Sequence, residues 1–91
     1  MIEQAKIAAV TEYLQSEFPD SQIDDTFDEE LQSQKFRVSK DSTVSIIKFE
    51  RIFLDDTLDI KEALKNMGLS EFIKLNNTRQ VFVTTQGLKL L

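Results

Sequence analysis

Apolar positions recur at three- and four-residue spacing from the start of the chain. Ile7, Val10, Leu14 and Phe18 fall on one helical face, and Ile2, Ala9 and Tyr13 widen that stripe. The pattern predicts a helix over 2–17. Pro19 ends it, because the residue before a proline is pushed out of helical dihedrals. The period then changes. Phe36 and Val38 alternate with Lys35, Arg37 and Ser39, and Val44 and Ile46 open a second extended run. Lys40-Asp41-Ser42 suits a tight turn, so 34–40 and 43–50 are expected to form a hairpin. Residues 21–31 fit two templates. Ile23, Asp25 and Phe27 alternate as in a strand, while Ile23, Phe27 and Leu31 keep helical spacing. The short distance to the hairpin favours an edge strand.

Helical spacing returns over 57–67, where Ile60, Leu64 and Met67 share a face and Thr57 or Asp56 can cap the start. Gly68 fits the left-handed stop position. Ser70 can begin a short second helix to about Leu75. A last strand is expected over 79–85, with Val81 and Val83 on one face, Phe82 on the other, and Gly87 as the break. The elements run α-β-β-β-α-(α)-β. The predicted fold class is α+β, two-layer, with an antiparallel three- to four-stranded sheet packed by helices.

Composition narrows the chemistry. Ninety-one residues with 41% hydrophobic and 30% charged content correspond to one small folded domain over 1–91. The chain has neither cysteine nor histidine. Disulfides, thiolate nucleophiles and sulfur-ligated metal centres are therefore excluded, and the commonest general base is missing. The two glycines are isolated, so no phosphate-cradling loop is evident. No apolar run approaches the roughly 20 residues that span a bilayer. The acid-bearing N-terminus does not resemble a signal peptide, and a cytoplasmic protein is expected.

Charge is unevenly placed. Residues 1–33 carry −8 and residues 34–91 carry +3, within a net −5. Two boxes stand out in this distribution, Asp24-Asp25-Thr26-Phe27-Asp28 and Asp55-Asp56-Thr57-Leu58-Asp59. Each is an Asp-Asp-x-x-Asp motif, and the pair resembles the aspartate-rich motifs with which isoprenyl diphosphate synthases hold magnesium and a diphosphate. That resemblance implies a long all-helical bundle, about three times this length, with both boxes on facing helices. Here one box falls on a strand and the other at a helix start. Acids at a helix start complement its orphan N–H groups. Acids on an edge strand complement Lys35 and Arg37 and discourage edge-to-edge aggregation. Neither metal nor cofactor is expected. Tyr13 reads as a core aromatic with a solvated hydroxyl rather than a catalytic phenol, and no catalytic residue is assigned.

Two surfaces remain as candidates for binding. The element order resembles double-stranded RNA-binding domains, which implies a basic start to the last helix; the acidic Asp55–Asp59 run stands there instead. Lys35, Arg37, Lys40, Lys48 and Arg51 nevertheless make the hairpin basic, an alternative site for nucleic acid. The second surface follows from the strand 43–50, which is apolar on both faces. If helices cover one side only, Ile47, Phe49 and Phe82 are exposed together; a bulge near Ile46-Ile47, or a helix wrapping the second face, is the alternative. The leading expectation is a non-enzymatic protein-interaction or adaptor module, binding a protein partner or a second copy of itself through Ile47, Phe49 and Phe82. Nucleic acid through the basic hairpin is the alternative.

Overall fold

The computed structural model describes residues 3–91. Ile2, the first predicted helical position, lies outside the described residues. Helix α1 spans Gln4–Glu17 and buries Ile7, Val10, Tyr13 and Leu14, the predicted stripe. Three strands follow: β1 over Gln22–Asp28, β2 over Ser33–Lys40 and β3 over Thr43–Glu50. The segment with two possible periods is therefore extended. The β2–β3 register fixes a two-residue loop at Asp41-Ser42, with Asp41 at φ 55°. Aspartate tolerates that left-handed position because its short side chain can bond locally.

Three helices come next. Helix α2 spans Arg51–Asp56, α3 spans Ile60–Met67 and α4 spans Leu69–Leu75. Helix α2 was not foreseen in the sequence. It begins directly after β3, where Arg51 N–H donates to the Gln32 carbonyl at 3.0 Å. The cap expected at Thr57 or Asp56 also moves. Thr57 is the C-cap of α2, its hydroxyl donating to the Phe53 carbonyl. Asp59 caps α3 by accepting from Glu62 N–H at 3.1 Å. Gly68 holds φ 69° as the stop of α3, as the sequence predicts, and leads straight into α4.

Two short strands complete the chain, β4 over Val81–Thr84 and β5 over Gly87–Leu90. The five strands form one sheet in the order β1-β2-β3-β4-β5. The expected antiparallel sheet of three or four strands is thus a mixed sheet of five. Strand β4 runs parallel to β3, because the helices of 51–80 carry the chain back to the starting end of β3 before it re-enters the sheet. Strand β5 escaped the sequence reading because Gly87 reads as a terminator. In the structure Gly87 instead takes φ 113° at the end of a two-residue turn. Thr84 Oγ1 secures that turn, donating to the Gly87 carbonyl and accepting from Gln86 N–H. No helix among the described residues is long and apolar enough to cross a membrane.

All four helices pack on one side of the sheet. Val10 and Leu14 of α1, Phe53 and Leu54 of α2, Ile60 and Leu64 of α3, and Leu69 and Ile73 of α4 join one cluster. From the sheet, that cluster takes Phe36, Val38, Ile47, Phe49, Val81 and Val83. The pairings Phe36↔Ile47, Ile47↔Val81 and Phe49↔Val83 put these strand residues on a single face. Phe36 and Phe49 meet edge to face at 5.4 Å between ring centroids, a favourable aromatic geometry.

Candidate interaction face

The face opposite the helices follows from the same register. Thr26, Lys35, Lys48, Phe82 and Lys89 form one row across the sheet, one residue from each strand. The next row places Asp24, Arg37 and Ile46 side by side, and the row after it Gln22, Ser39 and Val44. Ile46 and Phe82 are half-buried and belong to no part of the core cluster, while Val44 is 42% exposed. This face therefore carries an apolar diagonal of Val44, Ile46 and Phe82 among Lys35, Arg37, Lys48 and Lys89.

The structure divides the predicted apolar surface. Ile47 and Phe49 are both 0% exposed, facing the helices. They are core residues, and the expectation that they lie exposed is corrected. Only Phe82 sits on the open face. Strand β3 is apolar on both sides, so its own alternation does not tell the two faces apart. The deciding signal lies in β2, where apolar Phe36 and Val38 oppose charged Lys35 and Arg37. A two-residue loop at Asp41-Ser42 aligns Phe36 with Ile47, and that alignment marks the buried side of β3.

The basic hairpin divides as well. Lys35, Arg37 and Lys48 project from the open face. Lys40 lies at the hairpin end, 3.8 Å from Asp20, and Arg51 begins α2, 3.4 Å from Asp55. Lys89, on the strand that sequence reading missed, joins the open-face group beside Phe82. Among the described residues, no ion pair involves Lys35, Arg37, Lys48 or Lys89. The Lys89 ammonium donates to the Gln86 side chain at 3.2 Å. Three acids share this side of the sheet. Asp24 faces Arg37 across the strands, Asp28 accepts from Leu31 N–H at 3.2 Å, and Glu50 accepts from Thr85 N–H at 3.3 Å. The last two are thereby turned to the backbone at one end of the sheet.

The aspartate boxes separate in space by element. The first lies along β1, and the second runs from the end of α2 to the cap of α3. Among the described residues, no group of three or more carboxylates comes together where it could hold a metal ion. Asp25 faces the helix side of the sheet and accepts from the Gln34 amide at 2.8 Å.

A cleft of about 260 Å³ opens at the hairpin end, where Phe18, Val38, Ser45 and Ile73 meet beneath Lys40 and Lys74. Both of its lysines have partners, Lys40 at Asp20 and Lys74 over the Phe18 ring at 5.5 Å. The open face has charge that is unpaired among the described residues, which the cleft lacks. Comparison with known proteins adds nothing to this geometry, since no family model, no curated protein and no solved structure matches the chain.

Proposed function

We propose that this domain is a non-catalytic interaction module that docks an anionic macromolecular partner on the open face of its sheet. One observation carries the reading: four cations, none in an ion pair among the described residues, surround Val44, Ile46 and Phe82 on one face of a chain whose net charge is −5. Segregated charge is what steers a partner to one face. Apolar side chains at its centre offer the non-polar area that makes docking persist. The helices, with six of the chain's sixteen acids, stand on the far side of the sheet. Sheet and helix layers pack about 10 Å apart, beyond a Debye length of about 8 Å at physiological salt. The acids of the helices therefore do little to oppose an anion approaching from the open side, where Asp24, Asp28 and Glu50 offset part of the charge of the four cations.

This reading keeps the interaction module expected from the sequence and changes its surface from Ile47 and Phe49 to Phe82, Ile46 and the surrounding cations. It assigns no catalytic residue. A cytoplasmic setting accords with a chain free of cysteine.

Chromatography on a heparin resin tests the proposal. An acidic protein ordinarily flows through a polyanion. The wild type is expected to be retained at low salt and released towards physiological salt, and Lys35→Glu with Lys48→Glu to flow through. Passage of the wild type in the void at low salt contradicts the proposal, as does undiminished retention of the double variant.

A further inference from the structure

We propose that the partner on the open face is single-stranded nucleic acid, with a base stacked on Phe82 and phosphates held by Lys35, Lys48 and Lys89. The inference rests on the docking reading above and names its partner. Its ground is the single row that crosses the sheet. Lys35 of β2 lies opposite Lys48 of β3, Lys48 opposite Phe82 of β4, and Phe82 opposite Lys89 of β5. At a strand spacing of about 4.8 Å the row spans roughly 14 Å. A linear polyanion laid across the strands meets two cations, an aromatic ring and a third cation in order. Non-specific single-strand binding combines the same two ingredients, an aromatic platform for bases and cations for the backbone.

The row also carries a cost in the free protein. Lys35 and Lys48 are directly opposed on adjacent strands, and like charges so placed destabilise a sheet. Neither has an ion-pair partner among the described residues. A phosphate between them removes that repulsion, so binding gains what the free sheet loses. The composition of the face separates nucleic acid from an acidic protein. Protein interfaces are depleted in lysine at their centres, whereas here three of the five residues in the row are lysines. Duplex DNA or RNA fits less well, because its bases are stacked on each other and unavailable to Phe82. The acids that face this surface do not interrupt the row. Asp24 stands one row away beside Arg37, and Asp28 and Glu50 are engaged with backbone N–H groups.

Fluorescence anisotropy with a labelled oligothymidine of about 12 nucleotides tests the inference. A duplex of the same length and polyglutamate are measured beside it. Three to four phosphate contacts weaken single-strand binding by about 20- to 50-fold between about 50 and 200 mM salt. Phe82→Ala is expected to weaken the oligothymidine complex by about 5- to 150-fold with an unchanged salt slope, the loss of one stacked base. Polyglutamate binding should be insensitive to Phe82→Ala. Phe82→Leu retains apolar volume but has no aromatic face, so it should resemble Phe82→Ala in binding and wild type in thermal unfolding. Binding of polyglutamate without oligothymidine overturns this inference and leaves the docking reading standing. Failure of all three ligands overturns both. Equal affinity for duplex and single strand, or indifference of oligothymidine to both Phe82 variants, overturns the stacking assignment.

Discussion

Single side chains stitch the helical layer together at positions where regular capping is missing. The start of α4 has Gly68 in place of a polar cap. The hydroxyl of Tyr13 takes that role from another helix, accepting from Ser70 N–H at 3.1 Å in a buried setting. The sequence reading placed Tyr13 correctly in the core and left its hydroxyl to solvent; its partner lies 57 residues away, a distance no local pattern reveals. Lys6 closes α2 in the same manner. Its ammonium donates to the carbonyls of Leu54, Asp55 and Thr57 at the end of that helix, where cationic donors are favourable. A buried donor left unpaired costs about 1–3 kcal/mol. Tyr13→Phe is therefore expected to lower stability by that amount in urea melts, with the fold retained. Asp59→Ala should cost about 0.5–2 kcal/mol as the loss of an N-cap. Asp56→Ala should cost less. The reverse order would return the cap to the position first read from the sequence.

At the scale of elements, long periodic segments were legible and junctions were not. Helix α1, the β2–β3 hairpin and the Gly68 stop follow from spacing and turn chemistry. Helix α2 was hidden because Arg51–Asp56 is too short for its period to stand out from the strand before it. Strand β5 was hidden behind Gly87, whose positive φ turns the chain and continues it. The candidate surface was partly legible, since Lys35, Arg37, Lys48 and Phe82 were all singled out. Its apolar half was misassigned because Val44, Ile46, Ile47 and Phe49 make β3 apolar on both faces, and only pairing with β2 settles which side the helices cover. Two substitutions measure that choice. Phe49→Ala removes a fully buried ring and should cost about 3–5 kcal/mol. For a domain of this size that loss approaches the total stability. Phe82→Ala removes a half-buried ring outside the core cluster and should cost clearly less. Similar losses for the two in denaturant melts would reverse the assignment of faces.

The whole molecule has two layers, with a cluster of cations on the open face of its sheet. One face of the sheet is covered by four helices, and the other presents lysine and arginine around Phe82 and Ile46. The helices are nearly balanced, with six acids and five bases, and acids are densest at the β1 edge, where Asp24, Asp25 and Asp28 guard a strand that could otherwise pair with a neighbour. In the proposed reading, that cationic cluster is what lets a chain of net charge −5 dock an anion. It is also accessible to measurement without any partner. Amide relaxation of the protein can be recorded with a small anionic paramagnetic probe and then with a cationic probe of the same size. The anionic probe is expected to enhance relaxation most at Lys35, Arg37, Lys48, Phe82 and Lys89, and the cationic probe at α1 and β1, with the contrast fading as salt is raised. Equal enhancement by both probes across the open face, or a stronger effect of the cationic probe there, would contradict the account.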